Sequence, residues 1–321
     1  MLPGTLVLLL FVDLYEELDP DLAALRPLGG FFVLRTVRPA VGGPDAARTG
    51  RLATLAKGYE NLTSDVYGNV LTFRVEAVSG RLGTAEPRVA ASIAHQALAA
   101  RLWSVALGCA VRYGRLPDLD PGLLRWDPAA GAPDDLWLTE VRALPDGTGT
   151  RTGTRTRIGP DRAAPVDPAG PVDPTGPVDP TGPVDPTGPV DPVVPVDPEV
   201  LADAVVRAVV HAHLEPLGAA LRDRYGLAAG LLWGNAGSAL AGAARELDRW
   251  ARANDCADSV ARTRALADAL FAHPLLKPTG TRTGLAFRRR SCCLYYRVPG
   301  GVCGDCCFTQ PPRSSPRAAS G

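Results

Sequence analysis

The stretch VAASIAHQALAARLWSVALGCAV, from Val89 to Val111, decides the fold class of this 321-residue chain. It follows Pro87, and proline is favoured in the first turn of a helix, where its missing N–H would have no intrahelical partner. The stretch is apolar on nearly every side, so the helix is predicted to be buried inside the protein. His95 and Cys109 lie on it and are predicted to be ordinary core residues.

The N-terminal part of the chain, residues 1–145, is predicted to be a mixed α+β region. The segments Phe31–Arg38 and Val70–Val78 are rich in β-branched and aromatic residues, which favour strands. Residues 123–141 predict two short strands around a turn that contains proline and glycine. Combined with the long apolar helix, these strands indicate an α+β arrangement.

A low-complexity segment occupies residues 146–198. Its main part is the hexapeptide Pro-Val-Asp-Pro-Thr-Gly, which recurs from about Pro165 to about Pro198. Frequent proline fixes φ and removes backbone donors, so neither a helix nor a sheet can form. The segment is therefore predicted to be a disordered insertion, extended and solvated.

The C-terminal part, residues 199–321, is predicted to be a helical bundle that ends in a cysteine-rich loop. Apolar residues recur at spacings of three and four in segments 199–225, 227–253 and 257–272. The first of these segments is predicted to bend near Pro216. The fold class that follows for the whole chain is α+β and mainly helical.

Charge and hydropathy argue against two kinds of partner. The 34 basic and 34 acidic residues cancel, so nothing favours nucleic acid. The apolar start, Met1–Val12, is shorter than the ~20 residues that span a bilayer. It also has no basic region and no small-residue cleavage site. We therefore expect a cytoplasmic protein with no integral membrane segment.

Five of the seven cysteines lie between positions 292 and 307, as Cys-Cys, nine residues, then Cys-Gly-Asp-Cys-Cys. Disulfide frameworks belong mainly to short secreted chains, so this cluster indicates metal or redox chemistry. Four thiolates suit a [2Fe–2S] centre, but they also suit a tetrahedral zinc site, and two of them suit a metal-free dithiol pair. Adjacent side chains in a strand face opposite ways, so a bend is predicted at Cys292-Cys293. The spacing leaves all three chemistries open.

The residues around these cysteines resemble one known family. FRRRSCCLYY, from Phe287 to Tyr296, and RVPGGVCGDC, from Arg297 to Cys306, are similar to the C-terminal signature of the FhuF-type ferric siderophore reductases. The motif LWGNA at 232–236 is similar to that family's helical domain. The resemblance implies a cytoplasmic [2Fe–2S] oxidoreductase that reduces the iron of a ferric siderophore.

The resemblance also implies the cluster ligands, which fall on Cys292, Cys293, Cys303 and Cys306. The family usually has one residue more between the cysteine pair and the Cys-x-x-Cys turn. Counting at the family's spacing reaches Cys307, which is therefore an alternative fourth ligand.

Other parts of the sequence complete the functional hypothesis. No Gly-x-Gly-x-x-Gly motif occurs between a predicted strand and a predicted helix, so a separate donor such as a ferredoxin or flavoprotein is expected to supply the electron. Neighbouring arginines are interpreted either as a solvated face or as positive charge that offsets an anionic cluster; they are Arg288, Arg289, Arg290 and Arg297. Trp233 and Asn235 are interpreted as structural residues of the bundle. The alternative function is a zinc-stabilised or non-reducing binding or accessory protein of a siderophore pathway.

Overall fold

The structure is a computed structural model and describes residue 22 and residues 25–36, 52–60, 69–142 and 197–309. The apolar start and the hexapeptide repeat lie outside these residues, so what the sequence predicts for them stays a prediction.

The described residues form long helices and short strands, which confirms a mainly helical α+β fold. The N-terminal elements are β1 (Arg35–Thr36), β2 (Ala53–Thr54), α1 (Leu55–Tyr59), α2 (Val70–Leu82), α3 (Pro87–Tyr113), β3 (Leu124–Trp126) and β4 (Leu136–Leu138). The C-terminal elements are α4 (Pro198–Val205), a π-helical segment (Val206–Leu214), α5 (Glu215–Tyr225), α6 (Ala229–Ala253), α7 (Ala257–Ala272), β5 (Gly280–Thr283) and β6 (Ala286–Arg289). Short 3₁₀ turns cover Arg26–Leu28, Lys277–Thr279 and Tyr295–Arg297.

The N-terminal strands form a small mixed sheet in the order β1-β4-β3-β2. β3 and β4 are antiparallel, with Leu124 opposite Leu138, so the two strands predicted within residues 123–141 are confirmed. β1 runs parallel to β4, and β2 runs antiparallel to β3.

The strand predicted over Val70–Val78 is wrong, because these residues belong to α2. The side-chain oxygen of Asn69 accepts hydrogen bonds from the N–H groups of Leu71 at 2.9 Å and Thr72 at 3.3 Å, which caps the helix. The buried positions of α2 follow a helical period; they are Val70, Leu71, Arg74, Val75 and Val78. The N-cap and this packing outweigh the β-branched composition.

The strand predicted over Phe31–Arg38 forms only in part: β1 covers two of its described residues. The reason lies in Arg101 of α3, which is 1% exposed and donates to the carbonyls of Phe31 and Val33. Arg101 also forms an ion pair of 2.8 Å with Asp135. The guanidinium occupies these carbonyls, and within the part of the chain that the structure describes no strand ladder uses them.

The predicted buried helix is confirmed as α3, which packs along α6 in the centre of the molecule. His95 and Cys109 are 2% and 1% exposed, as expected of core residues. Residues 1–145 and 199–321 both contribute to the hydrophobic core, and the predicted division of the chain into these regions stays a prediction. Among the described residues, no helix is long and apolar enough to cross a bilayer.

Helical structure continues through Pro216, and a π-helical segment ends two residues before it; the bend expected there stays a prediction. Proline has no N–H to donate to the preceding turn, and a wider turn accommodates the interrupted hydrogen bonding.

His213, in the π-helical segment, joins the C-terminal helices to the N-terminal region. Its Nε2–H donates to the carbonyl of Leu119 at 2.6 Å, so Nδ1 accepts the hydroxyl hydrogen of Tyr59 at 2.8 Å. Burial lowers the pKa of His213 to about 4, mainly by desolvation. The ring is therefore neutral at physiological pH.

Candidate metal centre

The β5–β6 hairpin leads the chain into the cysteine loop. Phe287 and Arg289 are buried and alternate with exposed Ala286 and Arg288, as expected for a strand with one covered face. The hairpin can lie close to α6 because α6 carries small residues: a Cβ on Gly237 would stand 2.4 Å from Thr279 Oγ1. The alternation along β6 therefore places Arg289, and not Arg288, on the covered face of the hairpin.

The adjacent cysteines Cys292 and Cys293 lie at the predicted bend. Leu294, the next residue, has a φ of 67°, which non-glycine residues rarely adopt. Its N–H donates to Cys292 Sγ at 3.3 Å, and the carbonyl of Cys293 accepts from Ser92 Oγ at 2.7 Å. The bend is thus held by α3 on one side and by a backbone N–H···S contact on the other.

The five thiols of the loop lie in one group. The side chain of Cys303 contacts that of Cys293, and the side chain of Cys307 contacts that of Cys292. Cys306 is close enough to Cys292 and Cys303 to affect their ionisation, and its Sγ accepts the N–H of Phe308 at 3.4 Å. Among the described residues, no three or more side chains already stand in the tight geometry of a bound metal ion. The thiols are therefore gathered in one loop without being arranged as a complete ligand set.

The surroundings of Cys292, Cys303 and Cys307 favour the protonated thiol in the absence of metal. Burial has the largest effect on Cys292, and its pKa is raised to about 11. The hydrogen bond from the N–H of Leu294 acts in the opposite direction and lowers the pKa, whereas the neighbouring thiols raise it further. The pKa values of Cys303 and Cys307 are also raised, mainly by burial. Binding of iron must therefore displace protons, as is usual for thiolate sites.

Asp305 anchors the Cys-Gly-Asp-Cys turn to α6. Its Oδ2 accepts from Ser238 Oγ at 2.7 Å, and the Arg245 guanidinium lies 3.2 Å from Oδ1. Its backbone carbonyl accepts the N–H of Arg289 at 3.0 Å. The turn that carries Cys303 and Cys306 is therefore fastened at three points.

Arg289 is a buried cation beside the thiols, 2% exposed. Its guanidinium donates to Asn235 Oδ1, to Gln96 Oε1 at 3.3 Å and to the carbonyl of Ser291 at 3.1 Å. These partners are neutral, and among the described residues no carboxylate pairs with it. A buried charge without a counter-charge is costly, and an anionic cluster supplies one. The positive charge of Arg289 also lowers the pKa of Cys303, against the larger effect of burial.

The other arginines of the run have different environments. Arg288 and Arg290 are exposed, and Arg297 forms an ion pair with Glu86. Arg289, which lies buried next to the thiols, fits the interpretation as positive charge that offsets an anionic cluster. Exposed Arg288 and Arg290 fit the interpretation as a solvated face.

Two family models match the chain. The model described as "Ferric iron reductase FhuF-like transporter" matches residues 95–290, more than half of the chain. The model described as "FhuF 2Fe-2S C-terminal domain" matches residues 289–308. The chain belongs to the FhuF-like ferric iron reductase family. No curated protein matches it significantly.

These matches decide between the chemistries that cysteine spacing left open. The FhuF 2Fe–2S domain covers all five clustered cysteines, so the cofactor is a [2Fe–2S] cluster rather than zinc, and the protein is an oxidoreductase. The gathered thiols, the N–H···S contacts and the buried cation all fit such a group. The assignment of Cys292, Cys293, Cys303 and Cys306 as its ligands stays a prediction.

Sequence reasoning missed the polar network behind the cluster loop. Asn235, interpreted only as structural, donates to the carbonyl of Ser92 at 2.8 Å and to its Oγ at 3.1 Å, and it accepts from Arg289. Ser92 in turn holds Cys293. The available signal was a polar residue within each of two apolar helices, Ser92 in α3 and Asn235 in α6. The sequence did not show that these two helices pack against each other.

Proposed function

We propose that this FhuF-like protein is a cytoplasmic ferric siderophore reductase, which transfers one electron to the Fe(III) of an imported chelate. The observation that carries the proposal is a group of five thiols, four of them partly exposed, with buried Arg289 beside it. A redox centre must be close to the surface to exchange electrons with a donor and with a chelate. When bound, the [2Fe–2S] cluster supplies the one-electron chemistry.

The residues of the chain prepare the site for this reaction. Arg289 offsets negative charge, which favours the reduced state of the centre. Fe(II) is held more weakly than Fe(III) by hard oxygen ligands, so reduction frees the metal from the chelate. The electron comes from a separate donor such as a ferredoxin or flavoprotein, which docks at the partly exposed thiols.

The proposed ligands are Cys292, Cys293, Cys303 and Cys306. The contact between Cys293 and Cys303, and the backbone N–H donated to the sulfurs of Cys292 and Cys306, support this set. Cys307 contacts Cys292 and is the substitute fourth ligand.

Single serine substitutions test the ligand set. Cys303→Ser should abolish the visible absorption that dithionite bleaches, and Cys306→Ser should do the same. Cys307→Ser should keep it, as should the control Cys256→Ser, which removes a partly buried thiol at the start of α7. Loss of colour in Cys307→Ser but not in Cys306→Ser would exchange the two residues in the assignment.

Reoxidation tests the function itself. The dithionite-reduced protein, freed of excess reductant, should be reoxidised by a ferric siderophore, and one Fe(II) should appear in a ferrous-specific chelator for each electron lost. A protein that binds the chelate but stays reduced would instead be the non-reducing accessory protein.

A further inference from the structure

One face of the cluster loop is exposed and carries two arginines and two apolar side chains. Arg288 and Arg290 are both exposed, because the alternation of β6 turns every second residue away from the covered side of the hairpin. Val302 and Phe308 are 61% and 40% exposed, and Val302 directly precedes Cys303. We call Arg288, Arg290, Val302 and Phe308 the cluster-loop face.

Direct contacts join this face to the thiols. The guanidinium of Arg288 donates to the carbonyl of Cys307 at 3.3 Å. The N–H of Phe308 donates to Cys306 Sγ at 3.4 Å, and its ring lies edge-on to that of Tyr296, with 5.9 Å between the centroids. An electron that enters through this face therefore reaches the thiols directly.

The positive charge of the face has no counter-charge among the described residues. The other exposed or partly exposed charges of segment 280–309 form ion pairs, which are Arg282–Asp268, Arg297–Glu86 and Asp305–Arg245. Arg289 is buried and offsets the charge of the cluster. Arg288 and Arg290 are left, and unpaired positive charge beside a redox centre attracts a negatively charged partner and speeds its encounter.

The shape of the face fits a protein better than a small chelate. Small molecules bind in concave sites that bury most of their surface. Two cavities of the described residues, one between α3, α5 and α6 and one beside Tyr113, have none of the five thiols of the loop in their walls. An apolar centre with a charged rim is the usual anatomy of a protein interface, and transient electron-transfer interfaces are small, below about 1,200 Å².

We propose that the cluster-loop face docks an acidic one-electron carrier protein, whose carboxylates pair with Arg288 and Arg290 and whose apolar residues contact Val302 and Phe308. The inference rests on the proposed function and identifies the kind of donor that serves it. In the complex the reduced carrier is oxidised by one electron, which passes to the centre behind the face, and no bond forms or breaks.

Binding of oxidised flavodoxin, an acidic one-electron carrier, to the cluster-loaded protein tests the face without electron transfer. The Kd from surface plasmon resonance should rise about tenfold as the ionic strength increases from about 0.02 to about 0.3 M, because salt screens the charges. The double variant Arg288→Gln/Arg290→Gln should bind about five- to tenfold more weakly at low salt and lose most of this salt dependence. Val302→Ser should weaken binding about two- to fivefold and keep the salt dependence. The matched control Arg207→Gln removes an exposed charge from the π-helical segment and should change the Kd by less than about twofold.

Electron transfer is then measured by stopped flow. The anionic flavodoxin hydroquinone loses one electron to become the neutral semiquinone, whose colour reports the rate. The double variant should slow this reaction about five- to tenfold at low salt. Reduced methyl viologen is a small cation that needs no docking face, so it should reduce the double variant at least as fast as the wild type.

Three results would overturn the docking face. The first two are equal Kd values for the double variant and Arg207→Gln, and no binding of flavodoxin by the wild type at low salt. The third is unchanged flavodoxin binding together with slower reoxidation of the double variant by an anionic ferric tris-catecholate, which would assign the face to the chelate. Reoxidation of the wild type, reduced with methyl viologen, by a ferric siderophore is measured separately. A protein that is never reoxidised disproves the proposed function, whereas the flavodoxin Kd values alone decide on the face.

Discussion

Replacing Asp305 by alanine should release the Cys-Gly-Asp-Cys turn from α6. The carboxylate is 11% exposed and accepts a hydrogen bond of 2.7 Å from Ser238 Oγ. Its ion pair with Arg245 is 3.2 Å long, and the Arg245 side chain is 34% exposed. The alanine variant loses both interactions and leaves Ser238 without its acceptor.

The size of the effect follows from these two contacts. A hydrogen bond to a charged group contributes about 1.5–3 kcal/mol. The ion pair, a third exposed on the Arg245 side, contributes less than about 1 kcal/mol because solvent screens it. Together they stabilise the closed turn by about 2–3 kcal/mol, and since each 1.4 kcal/mol is a factor of ten, the open fraction rises roughly 30- to 150-fold.

The assay is the rate at which the visible absorption decays when an iron chelator is added in excess. Asp305→Ala should lose its cluster roughly 30- to 150-fold faster than the wild type. Asp305→Asn keeps an oxygen for Ser238 and loses only the ion pair, so its rate should rise no more than about fivefold, as should that of Arg245→Gln. If Asp305→Ala loses iron at the wild-type rate, the anchor does not hold the ligand turn and the reasoning is refuted.

The remaining predictions concern the cluster potential, acid stability and the repeat. Arg289→Gln should lower the midpoint potential measured by protein-film voltammetry, by ~59 mV for each 1.4 kcal/mol of lost charge interaction, because the reduced centre is the more negative one. Arg288→Gln, which removes an exposed charge, should shift it much less, and equal shifts would contradict a special role for the buried arginine. The free energy of unfolding, measured in urea, should be highest above pH 6.5 and should fall as the pH drops towards 4. The pKa of His213 is 6.5 in the unfolded chain and about 4 in the folded protein, so between these values the unfolded chain binds a proton that the folded protein does not. His213 accounts for ~3 kcal/mol of this loss, and buried His95, whose pKa is lowered to about 3, adds to the loss over the same pH range. His213→Gln should flatten the slope by the His213 share, and an unchanged slope would show that His213 does not contribute. Deleting residues 165–196 should leave colour and reductase activity intact, and loss of either would show that the repeat is more than a passive insertion.

Composition and local pattern predicted those parts of the molecule whose structure depends on near neighbours. The buried helix α3, the strands β3 and β4 and the mainly helical C-terminal region followed from apolar period, proline and glycine alone. The strand prediction for Val70–Val78 was wrong because a β-branched composition favours strands only weakly. The N-cap side chain of Asn69 and the packed face of the helix override that preference. The strand predicted over Phe31–Arg38 forms only in part for a non-local reason, since Arg101, some seventy residues later, occupies the carbonyls of Phe31 and Val33.

The sequence by itself determined that this protein works through clustered thiols, although their spacing left iron–sulfur, zinc and dithiol chemistry open. The residues around the cysteines resemble the FhuF signature, which implies a [2Fe–2S] centre, and the family match confirms it. Thiol chemistry depends on residue type and short spacing, both of which can be read along the chain. The tertiary structure decided which of four neighbouring arginines is buried and that Asp305 fastens the ligand turn. Each of these depends on helices α3 and α6 lying side by side with the hairpin against them, and contacts between residues more than fifty positions apart leave no trace in local pattern.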